Sequence, residues 1–208
     1  MATVRIPDQN RSIEDVEPIA RFLGRFGIEY RRWPLDERVS PDASAEEILA
    51  AYKPELDELK RRGGYVTADV INVTPDTPNL EALLNKFNKE HHHTEDEVRF
   101  IVKGAGVFHI RPADHPVFSI TVEAGDQISV PAGTKHWFDL CGDRTIRAIR
   151  LFLDMSGWTP HYAADGVHAN FMPVCWGPSF LPPAGGGFVG TVNVMDAGRD
   201  VSADAGVK

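Results

Sequence analysis

EVRFIVKGAGVFHIRPADHPVFSITVEAGDQISVPAGTKHWFDLCGDRTIRAIRLFL, residues 97–153, is the stretch that decides the fold. Its strand-length runs are cut by Gly104, Pro112-Ala113-Asp114, Gly125-Asp126, Pro131-Ala132-Gly133 and Gly142-Asp143. Turn residues at that rhythm separate the strands of an antiparallel sandwich or barrel, and a jelly-roll barrel meets the description. In the first strand Glu97 and Arg99 share one face while Val98, Phe100 and Val102 take the other, because side chains alternate along a strand. A merely wet polar face is the plain interpretation. The histidines nearby favour another, in which the charged face lines a polar cavity and the apolar face packs on a second layer.

Immediately upstream the chain reads His91-His92-His93-Thr94-Glu95-Asp96-Glu97, and further on Val130-Pro131-Ala132-Gly133-Thr134-Lys135-His136. In extended chain His91 and His93 point the same way and His92 points to the opposite side. Glu97 returns to the face of His91 and His93 if the chain stays extended or turns locally, and His136 arrives from a second strand. Three imidazoles and one carboxylate suit a first-row transition ion, whereas Mg and Ca prefer oxygen shells. No cysteine lies in either cluster, which argues against a closed structural zinc site. With six-coordinate metal, four protein ligands leave two positions for a chelating substrate. A histidine run alone is as readily a solvated tract; the joint spacing is what carries the metal reading. Arg99, two residues past Glu97 on the same face, is placed to meet a metal-bound anion with its fixed fork of donors.

These segments carry a resemblance. Six residues separate Glu97 from Gly104, and Gly125-x5-Pro131-x-Gly133-x-x-His136 follows, which together resemble the two metal-binding motifs of the cupins. Within the cupins, Glu90 to Phe100 and Ser129 to Asp139 resemble the acireductone dioxygenase family. Asn85 stands where the first motif usually opens with Gly, and Leu140 where the second often ends with Asn; neither is a ligand position. The resemblance covers roughly residues 11 to 165. It implies a mainly β cupin jelly-roll barrel with flanking helices (α+β), one Fe(2+) or Ni(2+) per chain on His91, His93, Glu97 and His136, and a dioxygenase of methionine salvage. It implies an acireductone and O2 as small-molecule partners, giving formate and 4-methylthio-2-oxobutanoate with iron, or formate, CO and 3-methylthiopropanoate with nickel. It favours Arg150 beside Arg99 as a catalytic group, although Arg147 is an equal candidate by alternation alone. It favours Phe87 and Phe138 as aromatic walls for the substrate, where core packing is the stronger reading of the residues themselves. Two other classes stay open: a different cupin enzyme, such as a flavonol or cysteine dioxygenase or a sugar isomerase, and a non-enzymatic metal or ligand sensor. A sensor would normally carry a DNA- or partner-binding module, and no helix-turn-helix or basic arm is visible.

Length and composition agree with an intracellular enzyme. The chain has 208 residues and a formal net charge of -8, which disfavours nucleic acid and anionic membranes as partners. The N-terminus lacks a signal-peptide core, and no run approaches the roughly 18 apolar residues of a membrane span, so a cytoplasmic monomer is expected. Cys141 and Cys175 are too few for a disulfide framework and are expected to be free thiols.

Before the barrel, Ser12 with Asp15 resembles a capping box ahead of Val16, Ile19, Ala20 and Leu23, with Gly24 and Gly27 to end the helix, and Ile28 to Trp33 reads as a strand. A second box, Ser44 with Glu47, opens Ile48, Leu49, Tyr52, Leu56 and Leu59, which Pro54 should kink or split and Gly63-Gly64 should end. Tyr65 to Val73 reads as a strand, and Thr77-Pro78 as a cap leading into Leu80, Leu83, Leu84 and Phe87. The expected organisation is one domain over 1–165 and a Pro/Gly-rich, partly disordered extension over 166–208, with Pro182 to Gly187 as linker and Phe188 to Val194 as one further strand.

Overall fold

The computed structural model describes residues 1–35, 38–40, 42–154, 158–173 and 175. In order the chain forms β1 (Thr3–Ile6), β2 (Arg11–Ile13), α1 (Val16–Gly24), β3 (Glu29–Arg32), α2 (Ala45–Ala51), α3 (Lys53–Gly63), β4 (Thr67–Val73), α4 (Leu80–Phe87) and β5 (His91–His92). There follow β6 (Glu97–Arg111), β7 (Phe118–Glu123), β8 (Asp126–Val130), β9 (Lys135–Leu140), β10 (Ile146–Phe152) and β11 (His161–Tyr162).

β6 belongs to two sheets at once, and this makes the sandwich. Its first part pairs antiparallel with β8 and β10, extended by β3 and β4. Its second part pairs with β7 and β9, extended by β1, β2, β5 and β11. The crossing is built by a slip: Arg147 of β10 faces Lys103 while Ala148 faces Ile101, so Val102 is an extra residue, a β-bulge that bends the strand. Gly104 follows at φ +77, where a Cβ would collide with the carbonyl of Thr145, and at Gly106 it would strike the Phe138 ring. Gly104 admits no side chain, and one at Gly106 would have to displace Phe138. The outer edges do not join among the described residues, ending at β2 and β11 in one sheet and at β3 and β4 in the other. The jelly roll is therefore an open sandwich, and closure into a barrel is not formed.

The alternation read from the sequence decides the layers. Val98 and Phe100 point away from the sandwich interior and pack with Ile48, Tyr52, Leu56 and Leu59 of the α2–α3 segment, together with Ile149 and Leu151 of β10. Ile101 turns inward to the main core with Ile19, Phe22 and Leu23 of α1, and past the bulge Phe108 and Ile110 join it. A fully buried aliphatic or aromatic side chain contributes roughly 1.5–3 kcal/mol. Each layer thus holds one face of β6, and the inward positions of Glu97 and Arg99 are fixed by the burial of their neighbours.

The second capping box forms as expected: Ser44 Oγ accepts from the Glu47 N–H at 3.2 Å, and the Ser44 N–H donates to Glu47 Oε2 at 2.7 Å. Pro54 splits the helix, standing at the start of α3, and Gly64 ends it at φ 74. Two other starts differ. Ser12 is paired within β2, opposite Arg5, so Asp15 becomes the residue before α1, with no side-chain cap bond. Thr77-Pro78 forms a turn in which Thr77 Oγ1 accepts from the Thr74 N–H at 2.9 Å, and α4 starts two residues later behind Asn79 at φ 54. At Thr77 a competing local bond took the residue that the pattern had offered to the helix, and at Ser12 the pairing of β1 with β2 did.

The cysteines also differ from expectation. Cys141, just past β9, and Cys175 form a disulfide with Cα atoms 5.2 Å apart, although 34 positions separate them in sequence. Proximity across that separation is a property of the fold and leaves no trace in spacing. After a short 3-10 turn at Val167–Asn170, Phe171 packs on Trp137 of β9, ring centroids 5.7 Å apart. The stretches Pro182 to Gly187 and Phe188 to Val194 lie outside the described residues. Among the described residues no helix is long and apolar enough to cross a membrane.

Candidate metal centre

Four side chains converge between the sheets. β5 lies against β9 with His91 opposite His136, Glu97 opens β6 opposite Val130, and His93 lies in the connection between β5 and β6. The turn of the second motif is tied to the first by two bonds, and a third anchors Asp96 from outside both motifs. Gly133 N–H donates to the His93 carbonyl at 2.9 Å, Ala132 N–H to Asp96 Oδ1 at 2.9 Å, and Tyr65 hydroxyl to Asp96 Oδ2 at 3.0 Å. Gly133 sits at φ +77, which explains the glycine of Pro-x-Gly. Asp96 therefore points away from the cluster and serves to join the motifs.

Potential ligand atoms of His91, His93, Glu97 and His136 all lie within 4.8 Å of one another, and none of the four residues is more than 2% exposed. Each histidine is oriented from behind by a backbone carbonyl on Nδ1: Lys89 for His91 at 2.6 Å, Thr159 for His93 at 2.9 Å, and Thr134 for His136 at 2.8 Å. A carbonyl can only accept, so in the neutral rings the proton sits on Nδ1 and the Nε2 lone pairs face inward. Nε2 of His136 and of His93 lie 3.0 and 3.2 Å from the same carboxylate oxygen, Glu97 Oε2, and among the described residues the Nε2 atoms of His91 and His93 have no hydrogen-bond partner. Buried lone pairs aimed at one another repel unless a cation lies between them, and an outer ring of carbonyls behind ligating histidines is the usual support of a metal site. The donor set fits a divalent transition ion.

Electrostatics keeps His91 and Glu97 in their metal-ready forms. Burial, and then neighbouring His136, push His91 down to about 4, so the ring is neutral near pH 7. Burial alone would raise Glu97, but the Arg99 guanidinium beside it holds the carboxyl well below the ordinary carboxylate range. Arg99 Nε donates to Glu97 Oε1 at 2.6 Å, and its guanidinium carbon lies 4.5 Å from the Phe138 ring centre, 5.4 Å from Trp158 and 5.5 Å from Phe108. This is an aromatic cage around a fork whose Nε is committed and whose Nη groups remain for an anion.

Strand parity sets where the two arginine candidates of β10 lie. Arg150 lies across from Arg99 on the inner face, while Arg147 points to the opposite face, where its guanidinium reaches the Ala43 carbonyl. Phe138 is under Arg99, and Phe87, at the end of α4, stands 6.0 Å from the His91 ring. His92 turns away and stacks on His161 at 5.3 Å, outside the cluster.

Trp158 was missed by the sequence reading. Its ring lies 6.0 Å from His93 and 4.7 Å from Phe152, and its neighbour Thr159 orients His93. The β11 strand that follows pairs with β5, and Arg111 holds this end of the chain through Glu90, at 3.0 and 3.1 Å, and Asp165, at 2.6 Å. A tryptophan beside the two residues Thr159-Pro160, after the last long strand, was the available signal. Asp69, bonded to Arg150, left no signal within the run Tyr65 to Val73.

Comparison with known proteins agrees with this geometry. The ARD/ARD′ family profile matches residues 8–160, a span that contains the whole cluster. The chain is 48% identical over 158 residues to an acireductone dioxygenase of Granulibacter bethesdensis, covering 76% of this chain and 88% of that protein. It is 40% identical over 174 residues to that of a Picosynechococcus strain, covering 84% and 99%. Among solved structures, an acireductone dioxygenase from Bacillus anthracis with a cadmium ion in its active centre superposes with a TM-score of 0.74 at 42% identity, covering 78% of this chain and 98% of that one. On the family match and these near full-length relatives, the chain belongs to the ARD/ARD′ family.

Proposed function

We propose that this protein is a metal-dependent dioxygenase that cleaves an acireductone, 1,2-dihydroxy-5-methylthiopent-1-en-3-one, with O2. The observation that carries the reading is the buried set His91, His93, Glu97 and His136, each imidazole held by a carbonyl so that its lone pair faces one point. Fe(2+) or Ni(2+) bound there would supply a Lewis acid and a template with two positions left for two substrate oxygens.

The chain's own residues do the rest. Arg99, caged and bonded to Glu97, offers its remaining donors to the negative charge of the enediolate, and Arg150 adds a second cation on the same face. Phe87, Phe138 and Trp158 present apolar surface around the cluster, which excludes water and strengthens both interactions. The products follow the ion: formate and 4-methylthio-2-oxobutanoate with iron, or formate, CO and 3-methylthiopropanoate with nickel. All four ligands come from one chain, which supports a monomer as the working unit, and the compartment we infer is the cytoplasm.

The test is product analysis with each ion. Protein loaded anaerobically with Fe(II) should consume O2 on addition of the acireductone and release formate, and the Ni(II) form should also release CO. Oxygen uptake only with a flavonol or a thiol would move the chain to another oxygenase activity. Stoichiometric metal with no turnover of any chelating substrate would leave a binding protein.

A further inference from the structure

Three charges stand in a row across the inner face of the sheet that carries Arg99. The register sets Asp69 of β4 opposite Arg150 of β10, and Arg150 opposite Arg99 of β6. Asp69 receives two hydrogen bonds from Arg150, Nε to Oδ1 at 2.9 Å and Nη2 to Oδ2 at 2.6 Å. The Asp69 side chain is 48% exposed and that of Arg150 21%, so as a stabilising ion pair the contact is worth little. Nor does the sheet need it, since β4 and β10 are already paired through seven residues from Ile146↔Val73 to Phe152↔Thr67. What a bidentate pair does supply is a fixed guanidinium plane.

That plane has a direction. With Nε and Nη2 committed, Nη1 is the remaining corner of the fork, and the guanidinium lies over Phe152 at 5.2 Å and Trp158 at 5.5 Å. Trp158 is also beneath Arg99, so two like charges share one indole. Without a carboxylate to hold it, Arg150 would be repelled toward solvent, because unpaired like charges on adjacent strands are unfavourable. Glu97 performs the matching service for Arg99, and the two carboxylates together neutralise the two guanidiniums before any ion or substrate arrives.

We infer that Asp69 is a positioning residue for the reaction: it aims Arg150 at the anion side of the metal pocket, as Glu97 aims Arg99. The inference rests on the proposed dioxygenase reading. It assigns a role to a side chain that touches neither metal ligand nor substrate and acts through one other residue.

A double-mutant cycle tests it with Asp69→Ala, Arg150→Ala and the double variant, all loaded with the same ion. Four quantities are read: metal content, melting temperature, kcat and KM under air, and the dissociation constant of the acireductone without oxygen. Asp69→Ala should lower kcat about ten- to a hundredfold, the scale of a misplaced catalytic group. Metal content and melting should hold, and anaerobic binding should change little, because a lost negative charge offsets a lost contact. In the Arg150→Ala background the Asp69 change should have no further effect, since acting only through Arg150 makes the two losses one loss. If Arg150→Ala turns over too slowly to measure, Arg150→Lys serves as the second background. Additive losses, an unchanged kcat, or a fall in kcat that merely tracks metal content or melting would overturn the assignment. A wild-type protein that turns over no acireductone overturns the proposed function, and this inference with it; turnover with additive losses overturns the role of Asp69 alone.

Discussion

Two buried histidines stand on the strands that flank β9, His91 on β5 and His109 on β6, and their surroundings differ. His91 and His109 are both almost wholly enclosed, and burial is the first cause that pushes each down to about 4. His91 turns toward three further ligand atoms, with its Nδ1 held by a carbonyl. His109 lies on the outer face of β6, flat against Trp137 of β9 at 4.8 Å and an interplanar angle of 5°, beneath Phe171. Burial of a histidine therefore says nothing about metal. Convergent lone pairs supported from behind do.

The sharpest way to break the comparison is to remove one histidine from each environment. His136→Ala should lower metal affinity and activity by well over the ten- to hundredfold typical of losing an outer-shell support, because it deletes a ligand itself. The same should hold for His93→Ala. His109→Phe should retain full metal, and so should His92→Ala, whose ring faces His161. Metal analysis after dialysis reads all four. Retention by both His93→Ala and His136→Ala would exclude the site, while loss only in His92→Ala would mean that the strand register is wrong.

A smaller effect separates chemistry from stability on the inner face. Arg99→Ala should lower turnover about 10²–10³-fold, the scale of losing one preorganised donor to a developing charge. Metal should remain, and with the ion in place to compensate Glu97 the melting temperature of the loaded protein should change little. Arg99→Lys should be impaired as well, because an ammonium does not replace a fork held by Glu97 and stacked on Phe138. Normal activity in Arg99→Ala would remove it from the reaction.

The contrast also measures what the sequence could say. Period-two alternation placed Glu97 and Arg99 inward and Val98 and Phe100 outward, and the spacing of His91, His93, Glu97 and His136 permitted their convergence. Those are local facts, and local patterns carry them. What failed depended on partners distant in sequence. Nothing near Ser12 announces that Arg5 will pair with it, and nothing near Cys141 announces Cys175. Alternation alone left Arg147 and Arg150 equal, and the face each one takes is set by the parity of β10 against β4 and β6. Trp158 belongs to the same class, since it reaches His93 only because β11 pairs with β5.

The smallest predicted effect uses acid to separate the two environments. A histidine whose folded pKa lies at about 4, against 6.5 unfolded, is neutral in the fold over a range where the unfolded chain has bound a proton. Its contribution to stability is therefore complete above pH 6.5 and is lost as pH falls toward 4, by about 3 kcal/mol in full at 1.36 kcal/mol per unit. Asp139, on the outer face of β9, has the opposite sign. Burial pushes its carboxyl up to about 6, so the folded state holds a proton that the unfolded state releases, and this share of stability grows as pH falls below 6. In the wild type the two trends oppose each other. His109→Phe removes one of them and keeps a flat ring against Trp137, so the variant should lose less stability than the wild type between pH 6.5 and 4, with metal content unchanged at pH 7. Denaturant midpoints taken across that range decide the matter. Parallel curves for variant and wild type would mean that His109 is charged in the fold, and the comparison between an enclosed bystander and an enclosed ligand would lose its first term.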